Sequence, residues 1–91
     1  AIYGICAGAK NSLVADGCII KGKVENSIIA RDVVVGKGAV VKNSIIFSGS
    51  SIAGGVVLEN VIIDKNVTVE KVTELTGTKA APLYVKEGDI I

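Results

Sequence analysis

Four short phrases recur down this chain: Asn11-Ser12-Leu13-Val14, Asn26-Ser27-Ile28-Ile29, Asn43-Ser44-Ile45-Ile46 and Asn60-Val61-Ile62-Ile63. The last three begin 17 residues apart, and the first lies 15 before the second. A period of this size marks a repeat architecture, in which one unit cannot bury its own apolar face and stability comes from stacking.

The repeat has a finer grain. Steps of six from Ile29 reach Val35 and Val41, and a step of five reaches Ile46. The same sequence of steps gives Ile52, Leu58 and Ile63, then Val69 and Leu75, so the period is 6 + 6 + 5. The first coil, Val14, Ile20 and Val24, is shortened by a tighter turn at Lys21-Gly22-Lys23. Each hexad carries a compact residue four places after its aliphatic anchor: Cys18, Val33, Ala39, Ser50, Val56, Val67 and Thr73. Helices need apolar spacing near 3.6, and hairpin strands need sustained alternation; neither is present. Each hexad reads as strand, turn, strand, and three hexads close one triangular coil.

Stacked coils place parallel strands about 4.8 Å apart. The spacing predicts Ile29 over Ile46 and Ile63, Val35 over Ile52 and Val69, and Val41 over Leu58 and Leu75. The anchor is expected to point inward at each corner, with room beside it only for compact residues. That fits a chain that is 49% hydrophobic but only 3% aromatic. Each buried anchor contributes about 1.5–3 kcal/mol.

The fold class is therefore all-β, a single-stranded parallel β-helix of about four triangular coils. The coils are expected over 11–75, with 1–10 a linker or partial first coil. A protruding loop is expected over 76–84, around Thr76-Gly77-Thr78-Lys79-Ala80-Ala81-Pro82, and a last incomplete coil over 85–91. Asn tolerates the left-handed backbone region. Asn26, Asn43 and Asn60 are thus expected to stack at one corner as a structural ladder, passing side-chain hydrogen bonds between coils.

Several function classes fall away. The net charge of +1, with both signs interspersed, offers no footprint for nucleic acid or anionic lipid. No apolar run approaches the ~20 residues of a membrane helix, and no basic-then-apolar secretory leader is visible. The chain contains no histidine, so it lacks the commonest general base and transition-metal ligand. Cys6 and Cys18 read as reduced thiols of a cytoplasmic protein, Cys18 as a core filler. Gly36-Lys37-Gly38 lacks P-loop spacing and reads as a tight turn. No catalytic residue, metal ligand or cofactor is expected.

What remains are surface features. Phe47 follows the anchor Ile46, in a column that holds Ala30, Lys42, Ala53 and Glu59 elsewhere and points outward. Phe47 with Ala30 is the candidate interface. Arg31 beside Asp32 is either a solvated pair or an effector or domain contact. Lys37, Lys42 and Lys65 read as solvated positions.

The hexads resemble the left-handed parallel β-helix of hexapeptide-repeat proteins, and the handedness is implied by that resemblance. The run Asn11-Ser12-Leu13-Val14-Ala15-Asp16-Gly17-Cys18 through Ile29 is more selective. It is similar to the start of the C-terminal domain of glucose-1-phosphate adenylyltransferases (ADP-glucose pyrophosphorylases), closest to the D-type subunit of bacterial glycogen synthesis. Leu58 through Val67 and the ending Gly77-Thr78 to Gly88 fit the same family. The resemblance implies a non-catalytic oligomerisation and regulatory domain, belonging C-terminal to a nucleotidyltransferase domain. Its implied partners are that domain and family subunits, as a homo- or hetero-oligomer. The implied parent reaction joins ATP and glucose 1-phosphate into ADP-glucose and pyrophosphate. Catalytic-type members use arginines of early coils for sugar-phosphate effectors; here Arg31 is the one arginine, which suits a poorly regulated D-type subunit. A related sugar-1-phosphate nucleotidyltransferase or a purely structural hexapeptide module are the alternatives. Histidine-dependent acyl transfer and γ-type carbonic anhydrase chemistry both lack their histidines.

Overall fold

The computed structural model describes residues 2–3 and 8–91, with side chains from residue 10 onward. The expectation for Cys6 lies outside the described residues, as do residues 1, 4, 5 and 7 of the opening stretch. Among the described residues every regular element is a β-strand, and no helix is long and apolar enough to cross a membrane.

Fifteen short strands among the described residues form three five-stranded sheets, all paired in parallel. The first sheet stacks β1 (Ile2–Tyr3), β4 (Ile19–Ile20), β7 (Val34–Val35), β10 (Ser51–Ile52) and β13 (Thr68–Val69). The second stacks β2 (Gly8–Lys10), β5 (Lys23–Glu25), β8 (Val40–Lys42), β11 (Val57–Glu59) and β14 (Glu74–Thr76). The third stacks β3 (Leu13–Val14), β6 (Ile28–Ile29), β9 (Ile45–Ile46), β12 (Val61–Ile63) and β15 (Leu83–Val85). The chain visits the sheets in rotation, so each circuit adds one rung to every face of a triangular prism. This is a parallel β-solenoid of about four turns.

The predicted columns are the observed register. Ile29 pairs with Ile46 and Ile46 with Ile63. Val35, Ile52 and Val69 align, as do Val41, Leu58 and Leu75. Val35, Val41, Ile46, Leu58, Ile63 and Val69 have no exposed surface. The anchors differ from expectation in one respect: they lie within the strands, in the faces of the prism, and the turns form the corners. Thr73 is also a correction, being exposed where an interior residue was expected. It precedes β14, the last strand of its sheet, so no further rung covers it.

The corners explain the turn residues. Asn11, Asn26, Asn43 and Asn60 have φ of 50°, 48°, 49° and 53°. A second corner repeats the same backbone with Gly17, Asp32, Gly49, Asn66 and Gly88, all at positive φ. These are the residue types for which the left-handed region is cheapest. The third corner holds the shortened turn. Only Lys21 and Gly22 join β4 to β5, where residues 36–39 join β7 to β8. Gly22 consequently lies buried beneath the Gly36 and Ala39 carbonyls of the longer turn.

The excursion after β14 is narrower than expected. Thr76 ends β14 and Leu83 begins β15, so 77–82 leave the prism while Thr76, Leu83 and Tyr84 belong to strands. Val85 then resumes the column over Ile63. Ile90 bridges to Thr68, and the Ile91 amide donates to the Thr68 carbonyl at 2.9 Å.

Candidate functional site

Alternation along a strand sends neighbouring side chains to opposite faces. In the third sheet the anchors Ile29, Ile46 and Ile63 point inward, so their predecessors point outward. Leu13, Ile28, Ile45, Ile62 and Tyr84 stand in register down this outer face. Leu13 is 71% exposed, Ile28 48% and Tyr84 56%. Two residues further on, a second outward column runs through Ala15, Ala30, Phe47 and Asp64. Phe47 is 39% exposed, one rung from Ala30, whose amide donates to the Ile46 carbonyl at 2.9 Å. The sequence singled out Phe47 and Ala30 but not the aliphatic stripe beside them. Its signal was the doublet Ile28-Ile29, Ile45-Ile46, Ile62-Ile63: only one member of each pair can face the core.

The adjoining sheet is different. Lys10, Glu25, Lys42 and Glu59 align on successive rungs with alternating sign. Opposite charges as cross-strand neighbours favour this register.

Between these faces lies the Asn corner. Each Asn amide donates to the carbonyl preceding the Asn below: Asn26 to Lys10 at 2.9 Å, Asn43 to Glu25 at 3.0 Å, Asn60 to Lys42 at 3.1 Å. The expected side-chain ladder runs instead through the adjacent serines. Ser27 Oγ donates to the Glu25 carbonyl at 2.7 Å and accepts from the Ser44 amide at 3.1 Å. Ser44 Oγ donates to the Lys42 carbonyl at 2.7 Å and accepts from the Val61 amide at 3.2 Å. Among the described residues, the Asn column contributes one side-chain bond, from Asn60 Nδ2 to the Gly77 carbonyl at 3.4 Å. The exposed left-handed Asn shapes the turn, and the buried serine beside it carries the bonding. Ser44→Ala should therefore leave the Val61 amide buried and unpaired, at a cost of about 1–3 kcal/mol. Urea unfolding checks this; an unchanged midpoint would contradict the ladder.

The excursion 77–82 folds back along this corner. Lys79 and Pro82 close a cleft of about 360 Å³ whose other walls include Asn26, Asn43, Ile28 and Ile45. A second cleft, of about 290 Å³, opens at the shortened turn between Lys21, Lys23 and Lys37.

The remaining candidates are dispersed. Arg31 is exposed at a turn, and Asp32 beside it, at φ 56°, is a corner residue. Lys37, Lys42 and Lys65 are exposed. Cys18 is buried, its thiol donating to the Ala30 carbonyl at 2.9 Å. Asp64 accepts hydrogen bonds from the Tyr84 hydroxyl and the Lys65 amide. The tyrosine bond, then the amide, hold the Asp64 carboxyl below its ordinary range. The same bond pushes the Tyr84 phenol up. This pair ties the last rung to the one beneath it. Among the described residues no three His, Cys, Asp or Glu side chains converge to hold a metal.

Comparison with known proteins agrees with this geometry. A model of the family described as GlmU-like, C-terminal hexapeptide matches residues 4–81. The chain is 50% identical over 86 residues to glycogen biosynthesis protein GlgD of Bacillus subtilis, covering 94% of this chain and 25% of that protein. It is 49% identical over 88 residues to GlgD of Geobacillus stearothermophilus, covering 97% and 26%. Glucose-1-phosphate adenylyltransferase of Clostridium perfringens (strain 13 / Type A) is 55% identical over 40 residues, 44% of this chain and 10% of the relative. The chain thus spans about a quarter of the length of the GlgD relatives. No solved structure matches.

Proposed function

Since this chain belongs to the GlmU-like, C-terminal hexapeptide family, we propose that it is the non-catalytic assembly domain of a glycogen-biosynthesis protein of the glucose-1-phosphate adenylyltransferase kind. The observation that carries the reading is the 50% identity to a GlgD protein along 94% of the chain. The physical picture agrees with it. The interior is filled by aliphatic columns, and the chemistry-bearing side chains are scattered over separate turns and faces. The prism is a rigid body on which other chain segments can be mounted. In this reading its partners are a nucleotidyltransferase domain and further subunits in the cytoplasm. Arg31, exposed at a corner, is the group available for a domain or effector contact.

Two measurements test this. The 91-residue chain, given ATP, glucose 1-phosphate and magnesium, should form no ADP-glucose. Turnover would overturn the non-catalytic reading. Deleting this segment from a longer chain that carries it should reduce that protein's oligomeric state, as read by light scattering. An unchanged oligomer would overturn the assembly reading.

A further inference from the structure

We infer that the cleft along the asparagine corner binds a short stretch of neutral oligosaccharide, an α-glucan chain lying parallel to the axis of the prism. The inference rests on the glycogen-biosynthesis reading for the choice of sugar, and goes beyond it in assigning a ligand site.

Lys79 and Pro82 of the excursion form one wall of the cleft, and Asn26, Asn43, Ile28 and Ile45 line the other, around about 360 Å³. That is near the lower end of the ~300–1,000 Å³ of small-molecule sites, which combine an apolar lining with a few placed polar groups.

The polar groups are the amides of the corner. Asn26, Asn43 and Asn60 share one backbone conformation, with φ of 48°, 49° and 53°. Their Cβ atoms therefore leave the corner in the same direction, one rung apart. Among the described residues, the Asn26 and Asn43 amides have no side-chain hydrogen bond, whereas Asn60 Nδ2 donates to the Gly77 carbonyl at 3.4 Å and closes that end. A free amide offers two donors and an acceptor, a set that the neighbouring hydroxyls of a sugar can satisfy. Rungs repeat at about 4.8 Å, close to the length of one pyranose unit, so successive amides meet successive rings.

The apolar share comes from Ile28, 48% exposed, and from Ile45, which stand outward in register beside the amides. A pyranose has the same two-sided character, with C–H groups on its faces and hydroxyls round its edge. The aliphatic side chains and Pro82 take the faces, and the amides take the edge.

The lining also selects against an anion. Lys79 is the one ionic group in it, and it is exposed on the excursion. The Ser44 hydroxyl at the base is already engaged with the Lys42 carbonyl and the Val61 amide. Recognition of a phosphate or carboxylate gathers charged donors on one point. Here neutral donors are spread along a line, which suits a neutral, extended occupant.

The test is a titration of the isotope-labelled 91-residue chain with glucose, maltose, maltotriose and maltotetraose, followed by NMR. The side-chain amide signals of Asn26 and Asn43 should move saturably. Affinity should rise from glucose to maltotriose and then level off. Asn43→Gly removes the amide and keeps the left-handed turn. It should weaken maltotriose binding by about threefold to tenfold, as expected for a lost hydrogen bond, and Asn26→Gly should act alike. Backbone signals away from the corner should stay in place in both variants. High sodium chloride should leave the affinity unchanged, because the ligand carries no charge. Absence of a saturable shift with maltotetraose, or equal affinity for glucose and maltotriose, overturns the inference. So does binding that neither glycine variant weakens, or that inorganic phosphate displaces. Each of these results leaves the assembly reading standing, since that reading fails only if removing the segment leaves a longer chain's oligomer intact.

Discussion

Ile46→Ala should lower the free energy of unfolding by about 2–5 kcal/mol, the range for a fully buried aliphatic truncated to alanine. Ile46 is fully buried at the middle of its column, with Ile29 on one side and Ile63 on the other. The cavity would open between two rungs whose backbones are fixed by their own ladders, so little collapse can fill it. Ile46→Val, removing one methylene, should cost about 0.5–1.5 kcal/mol. Leu75→Ala is the internal comparison. Leu75 stands on the last rung of its sheet and is only partly buried, so it should cost clearly less. Urea unfolding of the three variants tests the gradient. Equal losses at Ile46 and Leu75 would mean that the columns do not share one continuous core.

Gly22→Ala should produce the second large effect, by a different route. A methyl group at residue 22 would run into the Ala39 carbonyl and stand 2.9 Å from the Gly36 oxygen. Both obstacles are backbone atoms of the next coil, so no side chain can rotate away. Overpacking of this kind costs about 1–3 kcal/mol, and the upper end applies because two turns must separate. Gly55→Ala provides the contrast. Gly55 sits at φ +79° with no atom within 4 Å of an added Cβ, so only the left-handed backbone penalty of about 1–2 kcal/mol remains. For a domain of this size each 1 kcal/mol moves the melting temperature by about 4–8 °C. A melting temperature for Gly22→Ala at or above that of Gly55→Ala would contradict the crowding.

The solenoid was legible because its interior admits little variation. A column such as Val35, Ile52, Val69 repeats at a fixed interval, and only aliphatic residues fit it. The shortened turn at Lys21-Gly22-Lys23 was legible for the same reason, since the anchors on either side kept their places. Residues whose type does not declare their direction were harder. In Ile45-Ile46 the period makes Ile46 the inward anchor, but both members are equally apolar, so residue type does not mark Ile45 as a surface residue. The stripe beside Phe47 was hidden in that ambiguity. The serines were hidden by the asparagines next to them. Asn is the more familiar ladder residue, but at Asn26 and Asn43 the left-handed backbone places the side chain at an exposed corner. The smaller hydroxyl of Ser27 or Ser44 fits inside and bonds the rung above.

The excursion at 77–82 shows how this fold measures length. Between Ile46 and Ile63 the chain uses 17 residues to climb one rung, and between Ile63 and Val85 it uses 22 for the same climb. The five additional residues leave at a corner and return to the same column. Contour length and height are therefore uncoupled: the prism grows with the number of circuits, whatever each circuit spends at its corners. A foreign peptide inserted between Gly77 and Pro82 would be displayed at a fixed level along the axis, as a flag on a graduated mast.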